Sequence, residues 1–120
     1  MSFFDSEIVQ EEMKEISQLQ DAIYAKVFSF ATMNSEDKLE HVDMLEELLT
    51  KQKILYTRLS LSDDPDAQAM KNNIMDSAKQ LGFPANVDLS YVFNNMSTII
   101  EQMKKAIREG PWHWVHQDLH

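Results

Sequence analysis

Apolar side chains recur at intervals of three and four along most of the chain, the period of an α-helix and not of a strand. In the first segment Val9, Met13, Ile16, Ile23, Val27 and Phe30 share a face, Leu19 lies on its flank, and no Gly or Pro interrupts. This predicts a helix from about Ser6 to Phe28, capped by Asp5, with Glu7 at the positive end of the helix dipole. The small polar run Ala31–Ser35 breaks the pattern. A second helix is predicted from about Glu36 to Leu59, with Asn34 or Ser35 as its cap. Two adjacent rows lie along it, Leu39-Val42-Leu45-Leu49-Gln52-Tyr56-Leu59 and Leu45-Leu48-Gln52-Leu55-Leu59. A face that wide is usually buried against more than one neighbour.

Asp64-Pro65 restarts the pattern, because Asp caps well and Pro fits the first helical position, where its missing N–H is not needed. The third helix runs to about Leu81 on Ala67, Met70, Ile74, Ala78 and Leu81, and Gly82 is the residue expected just past its end. Phe83–Val87 reads as a turn. Asp88 caps a fourth helix that reaches about Arg108, with Leu89, Val92, Phe93, Met96, Ile99, Ile100, Met103 and Ile107 on one face; Gly110-Pro111 ends it. No segment alternates like a strand. The first two helices each span about 35 Å at 1.5 Å per residue. Their short connection predicts an antiparallel hairpin, with the other two helices folded against it.

The 120 residues suit one helical domain, 1–110, followed by a short tail, 111–120. The formal net charge is −9, and residues 1–33 alone hold six acids against two bases. Such a surface repels phosphate backbones and anionic membranes, so no direct nucleic-acid or membrane partner is expected. The simplest role of the charge is solubility; it also favours a basic protein partner. No apolar run approaches a membrane span, and no basic start leads into an apolar stretch, so no secretion signal is expected. The absence of Cys excludes disulfides, thiol catalysis and thiolate metal sites, and is compatible with a reducing cytoplasm. Two Gly leave no room for a Gly-rich phosphate loop.

The opening Phe3-Phe4-Asp5-Ser6-Glu7-Ile8-Val9-Gln10-Glu11-Glu12 resembles the start of a small helical family of cyanobacteria and their phages. Lys51-Gln52-Lys53-Ile54-Leu55-Tyr56-Thr57-Arg58-Leu59-Ser60-Leu61-Ser62-Asp63-Asp64 resembles that family's second motif. Asp37-Lys38-Leu39-Glu40-His41-Val42-Asp43 is similar to the phage members. The resemblance covers about residues 3–108. The family is a domain of unknown function, so it implies a host-cell setting and no chemistry. Trp112–His120 departs from its pattern.

Few residues are placed for chemistry. His113, His116 and His120 would share one face of a helical tail and could offer imidazoles to a metal. The competing reading is a tail that docks Trp112 and Trp114 on the body or on a partner. Glu11, Glu12 and Glu15, and Asp37, Glu40 and His41, form acidic clusters. The chain has no Glu-x-x-His, the pair that di-iron bundles use, so a solvated helix face is the simpler reading. No nucleophile elbow frames a Ser, and no pair stands out among the twenty acids as a general acid and base. No catalytic residue and no cofactor are expected. Most methionines sit at or beside core spacing, where packing is the default. A group of them exposed together would instead point to an adaptable interface. Phe3-Phe4 is costly to leave in water, and either packs within the chain or its dimer mate or enters a partner groove.

The expectation is an all-α protein of four helices, a long antiparallel hairpin with two shorter helices on it, assembling as a homodimer in the cytoplasm. Its expected role is non-enzymatic: an interaction or adaptor protein that binds another protein through helical faces, with Phe3, Phe4, Trp112 and Trp114 as candidate contacts. The alternatives are a virion structural component and an acidic inhibitor that imitates nucleic-acid charge.

Overall fold

Ser2 opens the fold with a reciprocal cap. Its hydroxyl accepts from the Phe4 N–H and its own N–H donates to Asp5 Oδ2 at 3.0 Å, closing a 3₁₀ turn over Phe3–Asp5. Asp5 therefore serves this turn and does not cap the first helix as expected. Ser6 holds the N-cap position of α1 (Glu7–Lys26) in an extended conformation and makes no side-chain cap bond. The computed structural model describes residues 2–84 and 88–109. Ala85–Val87 of the predicted turn, and the tail from Gly110 onward, lie outside the described residues.

The first helix ends two residues earlier than its apolar spacing predicts and tightens into a 3₁₀ helix over Val27–Thr32. The hydroxyls of Ser29 and Thr32 donate to the carbonyls three residues back, at 3.0 and 2.9 Å, which suits that narrower winding. The changed pitch exposes Val27 and leaves Phe28 98% exposed, while Phe30 packs against the core.

The longest element is α2 (Ser35–Leu61), capped by Asn34, whose Oδ1 accepts the Asp37 N–H at 2.8 Å. At the start of α3 (Pro65–Gln80), Asp64 Oδ2 accepts from the N–H groups of Asp66 and Ala67. The helix closes with a paired C-terminal cap, Phe83 N–H to the Ala78 carbonyl and Gly82 N–H to that of Lys79, both at 3.0 Å. This cap requires the φ of +100° that Gly82 adopts. Before α4 (Leu89–Glu109), Asp88 Oδ1 accepts the Ser90 N–H at 2.9 Å.

The chain is all-α, four helices with no strand among the described residues, and α2 packs against both α1 and α4. Glu15 pairs with Lys51 at 2.7 Å and Glu12 with Arg58 at 2.8 Å, so α1 runs antiparallel to α2. Tyr56 meets the ring of Phe93, and Lys104 reaches Asp43 and Glu46, so α4 is antiparallel to α2 as well. At 21 residues α4 is as long a partner as the 20-residue α1, not the shorter helix expected. Contacts between α1 and α4 are sparse, and the shorter α3 packs on α2 and on the N-terminal turn.

Val42, Leu49 and Ile100 form the buried centre, with Phe30, Leu45, Phe93, Met103 and Ile107 packed around them. The molecule is elongated, 61 × 30 × 20 Å, with a radius of gyration of 17.7 Å. A compact chain of this length would have about 14 Å. Among the described residues no helix is long and apolar enough to cross a membrane.

Candidate functional site

With α1 and α4 seated on α2, apolar space is left open along the bundle. The larger hollow has a volume of about 480 Å³. Met13, Ile16 and Gln20 of α1 line it, with Gln52, Leu55, Tyr56 and Leu59 of α2, Met70 and Ile74 of α3, Phe93 of α4, and Phe4 from the N-terminal turn. A shallow depression beside it is formed by Phe4, Gln10, Met13, Lys14 and Met70. A second hollow, of about 250 Å³, lies between α2 and α4 on Leu45, Leu48, Leu49, Gln52, Met96, Ile99 and Ile100. Gln52 lines both hollows, so the two meet at the middle of α2.

Neither hollow is lined by Asp, Glu, His, Ser, Lys or Arg. Their polar groups are the amides of Gln20 and Gln52 and the phenol of Tyr56. Such walls can take apolar side chains and fix their register through one or two hydrogen bonds. Of the side chains lining the two hollows, Tyr56 alone is ionisable.

Phe3 and Phe4 meet edge to face, with ring centroids 5.1 Å apart. The turn that holds them is tied to the start of α3: the Phe3 N–H donates to Asp64 Oδ2 at 3.1 Å and the Ser2 hydroxyl to Asp66 Oδ2 at 2.8 Å. The tie sets Phe4 beside Met13 and Met70, two thioethers from different helices that stand 40% and 38% exposed. Sequence reading treated both methionines as core; only the docking of the N-terminal turn on α3 brings them together. Trp112 and Trp114 lie outside the described residues, as do His113, His116 and His120.

In the first acidic cluster, Glu12 and Glu15 pair with Arg58 and Lys51. The hydrogen bond to Glu15 holds the Lys51 ammonium above its ordinary range. Lys104, buried on α4, draws in Glu46 at 2.9 Å, Asp43 at 3.3 Å and Glu101 at 3.9 Å. Its hydrogen bond lowers the Glu46 carboxyl below the usual 4.5, and the same contact raises Lys104. Sequence periodicity missed this buried cation, because its two nearest partners, Asp43 and Glu46, come from another helix.

Asp37, Glu40 and His41 line a small polar hollow of about 280 Å³ with Lys26 and Ser29. His41 is buried against the Phe30 ring, centroids 5.4 Å apart, and its Nδ1 has no hydrogen-bond partner among the described residues. The described residues contain no group of three or more His, Cys, Asp or Glu side chains placed to hold a metal ion.

Fold and site together define a small all-α protein built on one central helix, with open apolar hollows along it. The chain belongs to the domain of unknown function DUF1825, whose family model matches residues 1–107. No curated protein and no solved structure matches it.

Proposed function

We propose that this chain is a non-enzymatic interaction protein that receives an apolar segment of another protein in the Phe4–Met13–Met70 groove. The observation that carries the reading is the grouping of two half-exposed methionines and an aromatic ring around an uncharged hollow. Thioethers are flexible and polarisable, so they adapt to the side chains they meet. A groove bounded by three helices suits the apolar face of an amphipathic helix. The chain's net charge of −9 favours approach of a basic partner, and the apolar contacts hold it. The pairing of Glu12, Glu15, Asp43 and Glu46 with cations of the same chain weighs against imitation of a nucleic-acid backbone.

The resemblance of Phe3–Glu12 and Lys51–Asp64 to motifs of a cyanobacterial and phage family is what suggests a setting in a cyanobacterial cytoplasm, with the gene carried by the host or by an infecting phage. The partner is then a host or phage protein. Affinity capture from such cells, infected and uninfected, tests the reading. Wild-type protein is expected to retain a discrete partner that Met13→Glu and Met70→Glu both lose while keeping wild-type helicity. Capture unaffected by either substitution would refute the groove. Abundant recovery of the chain in purified virions would favour the structural alternative.

A further inference from the structure

We infer that the open face between α2 and α4 is the contact between two copies of this chain, with the α4 helices antiparallel across a two-fold axis near Ile99. The inference rests on the reading of the chain as an interaction protein but uses a different surface from the Phe4–Met13–Met70 groove.

Charge is the first argument. A molecule with a net charge of −9 repels its own copy over most of its surface. Along α4, however, Asn95, Met96, Ile99, Gln102 and Ala106 make an uncharged strip at helical spacing. Glu101, Lys104, Lys105 and Arg108 recur on another side of the same helix. The hollow beside the strip is also free of ionisable groups. A basic partner would gain nothing from this neutral face, whereas a second copy can meet it without opposing like charges.

Shape is the second argument. A two-fold contact must be self-complementary. Met96 and Ile99, 44% and 54% exposed, form a ridge beside the concave strip of Leu45, Leu48 and Gln52. Ridge and groove on one face allow each copy to seat its ridge in the groove of the other. The uncharged strip from Asn95 to Ala106 runs about 17 Å along α4, and the hollow walled by Leu45, Leu48 and Gln52 widens the face toward α2.

Core size is the third. Nine apolar residues are buried, two of them alanine, while twelve large hydrophobic side chains stand exposed among the described residues. Pairing across α4 would cover two of the twelve and close the half-buried row beside them.

Light scattering and sedimentation velocity of the full chain provide the test. Wild type is expected at twice the 14.0 kDa of one chain. Ile99→Glu and Met96→Lys are expected to yield monomers with unchanged helical circular dichroism, since both side chains are already half exposed. Phe28→Glu, at the most exposed apolar residue, is expected to leave the dimer intact. The chain has no Cys, so in Ile99→Cys mild oxidation is expected to yield one species, a disulfide-linked dimer, which Phe28→Cys does not form. A monomeric wild type, a dimer that survives Ile99→Glu, or one that Phe28→Glu dissociates would each overturn the inference. Met13→Glu is expected to abolish partner capture while the dimer persists, so either idea can fail while the other stands.

Discussion

Asp64 Oδ2 accepts three N–H groups: those of Asp66 and Ala67, which begin α3, and that of Phe3, 61 positions earlier in the chain. Asp64→Ala removes a helix cap, which costs about 1 kcal/mol. It also removes a charge-assisted bond to Phe3, part-buried and therefore weaker than a fully desolvated one, at about 1 kcal/mol. The sum is about 2 kcal/mol. Asp64→Asn keeps an acceptor in the same place and caps nearly as well, so it should lose about half as much. Urea unfolding at neutral pH and fixed protein concentration measures both, and the slope with denaturant should not change. Hydrogen exchange supplies a local readout: the Phe3 amide should exchange faster in Asp64→Ala, whereas the amides at the centre of α2 follow only the global loss. A variant within about 0.5 kcal/mol of wild type, the noise level of surface substitutions, would refute the account. So would Asp64→Asn as damaging as Asp64→Ala, or an unaltered Phe3 amide.

Leu49→Ala removes three carbons from the buried centre, which costs about 2.4 kcal/mol by transfer alone. The open hollow beside it should keep the cavity contribution small, so the loss falls at the lower end of the usual 2–5 kcal/mol; equal loss in Ile54→Ala, at an exposed site of the same helix, would contradict this. Glu46 has a lowered pKa in the folded chain, so its contribution is present above the ordinary 4.5 and is lost as pH falls through the depressed value. Lys104→Met should therefore flatten or reverse the acid-side fall in stability, read as urea midpoint against pH from neutral to strongly acidic buffer. Gly82→Ala meets no steric obstacle but must adopt a φ of +100°, so it should cost about 1–2 kcal/mol in thermal melts.

Element boundaries were legible wherever local chemistry decides them. Asn34, Asp64-Pro65, Gly82 and Asp88 each act on backbone groups a few residues away, and each stands where sequence reading put it. Contacts between distant segments were not. Asp5 is a different case: both uses of its carboxylate are local, and it accepts the Ser2 N–H of the preceding turn instead of capping α1. Val27 fits the apolar period of α1, but the chain tightens after Lys26 and leaves it exposed. Lys104 is buried against two acids of α2, Asp43 and Glu46, as well as Glu101 of its own helix, and only the last of these is near it in sequence. Of the groove, Phe4 was singled out from sequence, whereas its meeting with Met13 and Met70 depends on where α3 docks. The tail residues weighed as metal or partner contacts fall beyond the described helices.

Since α1 and α4 both rest on α2 and scarcely touch one another, a tilt in one outer helix need not be passed to the other. The architecture therefore concentrates the cost of damage in α2: a substitution that disrupts it would release both outer helices at once, whereas one that loosens α1 or α4 leaves the other seated.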